Sequence, residues 1–300
     1  MGKEKSLLQK IAGIVEGLSP KQLILAHYLE NNYANLAYTT MTELSRLAGV
    51  SETTVVRFVY SLGYKGFPEF MAALRAELTT KKETPLMKAF SIKKGQYEFP
   101  QDTCRAIFSM EMQVMADTLS NLNDGDFQRA VDMIFKAKEV LVVGCGANTC
   151  CTRALLFALQ VMKSNIYGIE KLDITEDALI RSVRKNAVCV AFTTPRYPSE
   201  TQNIVKIVSQ NNIPIIGISN SLLSPIFPYC EIFFHIPEKY ITYIDSNASY
   251  MALIHALSFG VYQKDKNRAR QQIEEYNSFA RKTGYYINGE VDLVEIDTKI

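Results

Sequence analysis

No apolar run in the 300-residue chain reaches the roughly 18 residues that a membrane-spanning helix needs, so no membrane partner is expected. The first twenty residues are charged and amphipathic and lack the apolar block of a secretory leader, which makes the cytoplasm the expected compartment. The six cysteines (Cys104, Cys145, Cys150, Cys151, Cys189 and Cys230) form no C-x-x-C pair and have no histidine at metal-ligand spacing. They read as reduced thiols, with no metal and no cofactor, although Cys150 and Cys151 stand close enough to a candidate pocket to leave oxidation sensitivity open. A dinucleotide fingerprint is incomplete: the sixth position of Gly144-Cys-Gly146-Ala-Asn148-Thr149 is not glycine. Glu170 does stand about twenty positions on, as a ribose-binding acid would.

What is present divides the chain by charge. The formal net charge is only +2. Residues 1–94 nevertheless carry 13 Lys+Arg against 8 Asp+Glu, and residues 95–300 carry 20 against 23. The basic surplus lies at the front, where attraction to a phosphate backbone would use it.

That front half contains the most strongly punctuated stretch, Thr40 to Phe67. Thr40 and Glu43 have capping-box spacing and predict a helix from near Met41. Leu44, Leu47 and Ala48 give it an apolar face, and Gly49 follows where the chain must turn. Ser51 then caps a second helix with an inward stripe of Val55, Val59 and Leu62. Its other face is left to Glu52, Thr53, Thr54 and Arg57. Helix, glycine turn and Ser-capped helix make a helix-turn-helix, whose second helix offers its N-terminal residues to the DNA major groove. Hydroxyls there reach phosphates or base edges, and a guanidinium can bridge two acceptors of guanine. The candidate DNA-binding residues are Ser51, Glu52, Thr53, Thr54, Arg57 and, in the glycine-punctuated segment that follows, Lys65.

Helices are also expected from Leu7 to Leu18, from Pro20 to Asn32 with a stripe of Leu25, Tyr28 and Leu29, and from Pro68 to Thr79. Together they make an all-helical domain over residues 1–79. Residues 80–100 lose periodicity and read as a linker. A long helix follows from Gln101 to Asn123, with Ile107, Met110, Met115 and Leu119 on one side as packing or subunit interface. Asp124 or Asp126 caps another from Phe127 to Ala137.

Five short β-branched runs come next: Val140–Val143, Ile166–Ile169, Ala187–Phe192, Ile213–Ile218 and Glu231–Ile236. Helical segments separate them, as in a doubly wound α/β sheet of five parallel strands. Ligands of such sheets bind beyond the strands' carboxyl ends. After the first run, Gly144, Gly146, Asn148 and Thr149 offer close backbone approach and a helix N-terminus. After the third, Thr193, Thr194, Ser199 and Thr201 surround Arg196 and Tyr197 as a cradle for an anion, and Ser219 follows the fourth.

These segments, LSRLAGVSETTVVRFVYSLGYKGFPEF together with GCGANT, TTPRYPSET and ISNSLLSP, resemble the RpiR family of bacterial transcriptional regulators, which join a helix-turn-helix to a sugar isomerase (SIS) domain of flavodoxin-like form. The resemblance runs from about residue 5 to residue 280. It implies a regulator binding a double-stranded DNA operator as a homo-oligomer, dimer or tetramer. Its SIS domain, residues 101–283, would sense a phosphorylated sugar or related anionic metabolite. Ligand positions carried over from the family fall on Gly146, Asn148, Thr149, Thr193, Thr194, Ser199 and Thr201. Asn148 stands where the family usually has serine, and TTPRYPSET replaces a serine-rich loop, which alters both charge and shape of the pocket. Two alternatives remain: a pocket used only for dimerisation, and an isomerase whose base would be Glu200 or His255. Residues 284–300, with their alternating VDLVEI, read as a tail that is either strand or disordered.

Overall fold

A computed structural model describes residues 7–32, 36, 39–80, 103–183, 186–237 and 245–286. Apart from Thr80, the last residue of a helix, and Gly284 to Tyr286, the linker and the tail expected from the sequence lie outside these residues. The chain forms two compact units, Met1–Ala89 with Ser221–Pro228, and Phe90–Asn220 with Tyr229–Ile300.

The first unit is helical: α1 (Leu7–Ala12), α2 (Pro20–Asn32), α3 (Met41–Ala48), α4 (Glu52–Ser61) and α5 (Phe67–Thr80). The helix expected through Leu18 stops at Ala12, with Gly13 next, and a 3-10 turn spans Val15–Gly17. Glycine is the poorest helix former after proline, which accounts for the break. The punctuation around α3 and α4 is as the spacing predicts. The Thr40 hydroxyl accepts from the Glu43 amide, Gly49 turns at φ 67°, and the Ser51 hydroxyl accepts from the Thr54 amide. Leu25, Leu29, Leu44, Val55, Phe58, Phe70 and Leu74 are fully buried together. The inward face of α4 is thus Val55, Phe58 and Val59, while Leu62 is only half-buried.

The second unit opens with α6 (Thr103–Asn121) and α7 (Asp124–Lys136). On α6 the buried side chains are the small ones, Ala106, Val114, Ala116 and Thr118, whereas Leu119 and Phe108 stand in solvent. The side expected to pack, with Ile107, Met110, Met115 and Leu119, is therefore not what this unit buries most deeply. Small side chains let the helix sit close, while Ile107, Met110 and Met115 are half-buried beside them. The cap of α7 is Asn123, whose side chain accepts from the Asp126 amide at 3.0 Å. Asp124 and Asp126 lie instead inside its first turn, where the helix dipole favours carboxylates.

Five parallel strands follow: β1 (Glu139–Val143), β2 (Ile166–Ile169), β3 (Ala187–Thr193), β4 (Ile215–Ser219) and β5 (Ile232–His235), in the order β2-β1-β3-β4-β5. β4 starts two residues later than its apolar run, because Pro214 has no amide to give the ladder. Between strands run α8 (Thr149–Gln160), α9 (Ile174–Ser182) and α10 (Ser199–Gln210), and α11 (Ala248–Lys264) and α12 (Lys266–Thr283) complete the unit. β3 is buried at every residue, as a strand covered on both faces must be. This order reverses direction between β1 and β3, and in open α/β sheets the ligand crevice opens at that switch point.

Candidate functional site

The first unit presents the outer face of α4. Ser51, Glu52, Thr53 and Arg57 are exposed and Thr54 is half-buried. Ser51 Oγ lies 2.9 Å from Thr54 Oγ1 and accepts from the Thr54 amide at 3.2 Å. Both hydroxyls are therefore engaged in starting the helix, while Thr53 and Arg57, one turn apart, project into solvent. Tyr60, 57% exposed, continues that face, and its phenol can donate or accept. The sequence reading passed over it because a tyrosine three residues beyond an arginine carries no motif. Lys65 is exposed, and its amide donates to Glu69 Oε2 at 2.6 Å. That brings a carboxylate beside the segment expected to meet phosphate.

In the second unit the switch point gathers the loops after β1, β3 and β4. Val143 pairs with Ala191 across β1 and β3, and Thr193 pairs with Ser219 across β3 and β4, so the three loops leave the sheet side by side. The loop after β1 folds into a 3-10 turn, Gly146–Asn148, leading into α8. Its two glycines have different reasons. Gly144 is buried, and a Cβ there would come within 2.6 Å of Thr152 Oγ1, so glycine is needed for packing of α8 on β1. Gly146 is exposed at φ 62°, a left-handed turn with Pro198 lying over it. Asn148 is buried; its amide donates to the Cys145 carbonyl at 3.3 Å, but its Oδ1 has no hydrogen-bond partner. An orphaned buried acceptor of this kind costs free energy until a donor arrives. Thr149, half-buried, donates to the Gly146 carbonyl at 3.0 Å.

The loop after β3 is the more unusual one. Arg196 and Tyr197 are consecutive non-glycine residues at positive φ, 70° and 24°. Backbone in that region costs about 1–3 kcal/mol per residue and persists where surrounding contacts enforce it. Here the Tyr197 amide donates to the Thr194 carbonyl at 3.0 Å and its hydroxyl to Asn220 Oδ1 at 3.1 Å. Asn220 in turn accepts from Ser219 Oγ at 3.3 Å, and its carbonyl lies 2.7 Å from His235 Nε2. The Arg196 side chain is thereby left 77% exposed at the rim.

Thr193, Thr194, Thr201 and Ser219 are all buried beneath it. Thr201 Oγ1 accepts from the Cys145 amide at 3.2 Å, tying the start of α10 to the loop after β1. Ser199 is exposed as the first residue of α10, with Pro198 in the cap position. One residue at the rim left no trace in the sequence. Asp245, whose side chain is only 10% exposed, accepts from Thr194 Oγ1 at 3.2 Å and sits 3.9 Å from Arg196 Nη2.

Neither alternative chemistry gains from the arrangement. Glu170, the acid a dinucleotide site would turn to ribose, is held by Arg153 through two hydrogen bonds, 2.7 and 2.9 Å, which lower its carboxyl below the usual range. Glu200 and His255 are both exposed, on α10 and α11 respectively. Among the described residues no group of His, Cys, Asp or Glu is arranged to hold a metal ion, and no helix is long and apolar enough to cross a membrane.

The thiols divide in a way that can be measured. Burial pushes Cys145, Cys151 and Cys189 up, and Cys230 up to about 12, whereas Cys104 and Cys150 are exposed. Only thiolate reacts with iodoacetamide. At pH 8 the native protein is expected to take two labels quickly and six after denaturation. Mass spectrometry showing Cys189 or Cys151 labelled as fast as Cys104 would contradict the packing around them.

Comparison with known proteins places both halves. Residues 5–81 match the family described as "Helix-turn-helix domain, rpiR family", and residues 133–259 match "SIS domain". An HTH-type transcriptional regulator of Haemophilus influenzae is 25% identical over 239 residues, covering 77% of this chain and 80% of that protein. The HTH-type transcriptional regulator HexR of Pseudomonas aeruginosa is 24% identical over 218 residues, 72% and 73% of the two chains. Among solved structures, the sugar isomerase domain of an RpiR transcription factor from Sphaerobacter thermophilus aligns with a TM-score of 0.57 at 17% identity, covering 59% of this chain and 99% of that one. The Vibrio vulnificus NanR protein complexed with ManNAc-6P aligns with a TM-score of 0.55 at 19% identity over 92% of this chain and 98% of its own. With the two domains matched in this order over more than half of its length, the chain belongs to the RpiR family of DNA-binding transcriptional regulators, a helix-turn-helix followed by a SIS domain.

Proposed function

We propose that the crevice at the ends of β1, β3 and β4 takes a phosphorylated sugar or related anionic metabolite, and that this ligand changes the protein's affinity for its operator. The observation that carries the reading is Arg196, a permanent cation projected by a strained turn over the buried Thr193, Thr194 and Thr201. Asn148 Oδ1 supports it as a waiting acceptor for a sugar hydroxyl, and the NanR complex shows that a protein of this fold takes ManNAc-6P. Gly146, Thr149, Tyr197 and Ser199 would line the same rim, with Ser219 buried below it. Operator contacts fall to Glu52, Thr53 and Arg57, with Ser51, Thr54 and Lys65 beside them. The protein acts in the cytoplasm as a homodimer or dimer of dimers on an inverted repeat, with half-sites about 34 Å apart or a multiple of that. It is not a catalyst, since its relatives are regulators. The effect of ligand is a differential affinity of two arrangements, reciprocal between ligand and operator.

The reading is tested by calorimetric titration with a panel of hexose and N-acetylhexosamine 6-phosphates. At least one should bind, and Arg196→Ala should weaken it roughly tenfold to a hundredfold, as loss of a charged hydrogen bond does. The same substitution should leave ligand-free DNA binding unchanged. A second reading, a crevice that serves only association of subunits, is favoured by the burial of the threonine hydroxyls and by Pro198 lying over Gly146. Absence of any binder at millimolar concentration would establish it over the first.

A further inference from the structure

We propose that Asp245 is a built-in anion of the crevice, a carboxylate that an incoming phosphate must displace from Thr194 and Arg196 before it can bind. This inference rests on the reading of the crevice given above and specifies how that site is regulated.

The geometry is that of a resident competitor. A carboxylate with a side chain only 10% exposed needs partners for its charge. Among the described residues, its partners are a hydroxyl and the guanidinium of the same anion cradle, Thr194 Oγ1 at 3.2 Å and Arg196 Nη2 at 3.9 Å. The second distance exceeds a hydrogen bond, so Arg196 is attracted without being tied, and its exposed head is free to swing onto another anion. A phosphate seated on Thr194 and Arg196 would bring a second negative group against Asp245. Like charges in a partly buried site oppose one another strongly, so the two do not share the cradle.

The consequence reaches beyond the crevice. Asp245 begins the lead-in to α11, and its next two residues are anchored elsewhere. Ser246 Oγ donates to Glu111 Oε2 of α6, and Asn247 Oδ1 accepts from the Cys151 thiol of α8 at 3.8 Å. Expelling Asp245 therefore strains a segment joined to α6 and α8 and gives ligand binding a mechanical outlet.

The test compares wild type, Asp245→Asn, Arg196→Gln and the double variant of the full chain. The probes are inorganic phosphate, N-acetylmannosamine 6-phosphate and unphosphorylated N-acetylmannosamine, measured by titration calorimetry. Asparagine keeps an acceptor for Thr194 while removing the charge; Asp245→Ser serves in its place if that variant does not fold. The expected result is phosphate binding about tenfold or more tighter in Asp245→Asn, because a like-charge opposition has been removed. That gain should vanish in the double variant, and the neutral sugar should show no difference. A merely structural role for Asp245 would not sort probes by charge. Equal or weaker phosphate binding by the neutral variants, alongside a wild type that binds the sugar phosphate, overturns the proposal and leaves the reading of the crevice standing. No binding of either phosphorylated probe, or of any member of the sugar 6-phosphate panel, to any of the proteins overturns both.

Discussion

Phe58→Ala is expected to unfold the helical unit, and Arg57→Ala, one residue away, to leave it folded and deprive it of DNA. Phe58 is 1% exposed at the centre of the core formed by Leu25, Leu29, Leu44, Val55, Phe70 and Leu74. Truncating a buried phenylalanine costs about 3–5 kcal/mol. A small domain holds only on the order of 5–15 kcal/mol in all. Loss of helical signal at lower denaturant, with proteolysis confined to the N-terminal region, would report it. Arg57 points the other way, exposed on the outer face of α4. Its removal should cost about 1–3 kcal/mol of specific affinity with an unchanged melting curve, read by titrating a DNA fragment that wild type binds. A Phe58→Ala protein that melts and binds DNA like wild type would refute the packing of α4. An Arg57→Ala protein with full affinity would refute the orientation assigned to its outer face.

The second large effect is expected at Gly217, in the middle of β4. The strand is buried throughout, and a Cβ at this position would lie 2.3 Å from Cys230 Sγ and 2.9 Å from a ring carbon of Phe233. Phe233 is Gly217's register partner on β5, and both it and Cys230 are half-buried, so making room means pushing a ring and a thiol outward from the sheet. Overpacking of this kind costs typically about 1–3 kcal/mol and occasionally more. For a unit of this size that corresponds to roughly 2–4 °C of melting temperature per kcal/mol. Cys230→Ala should restore part of the loss by removing the nearer obstacle, and the ring should prevent full recovery. An Asp245→Asn melt serves as the comparison, since that substitution leaves the number of heavy atoms unchanged. Equal stability of Gly217→Ala and wild type would mean that β4 and β5 are less closely apposed than described.

Much of the architecture could be read directly because its signals are local. Thr40 and Ser51 accept from amides three residues on and the Gly49 amide donates to carbonyls three and four residues back, so the helix-turn-helix is written in consecutive positions. The β-branched runs are likewise self-contained, and four of the five strands begin within one residue of the run that predicts them. The inward faces of α2 and α3 were largely legible too, in Leu25, Leu29, Leu44 and Ala48, whereas those of α4 and α6 were so only in part. On α4 the stripe included Leu62 and omitted Phe58; on α6 Ile107, Met110 and Met115 are half-buried, while the unit buries the shorter Ala106, Val114, Ala116 and Thr118. Periodicity marks a face, but the partner's shape selects among neighbouring faces only a fraction of a turn apart.

The crevice shows the same division more sharply. Arg196 and its threonines drew attention as a cluster contiguous in sequence. Asp245 lies some fifty residues further on and reaches Thr194 only because the sheet order sets the end of β3 against the lead-in to α11. Gly144 looked like a backbone approach to ligand until Thr152, a turn into α8, proved to occupy the space its side chain would need. By itself, then, the amino-acid order determined the kinds of element, their succession and the family. The folded chain alone decided which charges face one another and which hydroxyls are already engaged. Those are properties of distances between residues remote in the chain, and only the packing of strands and helices sets such distances.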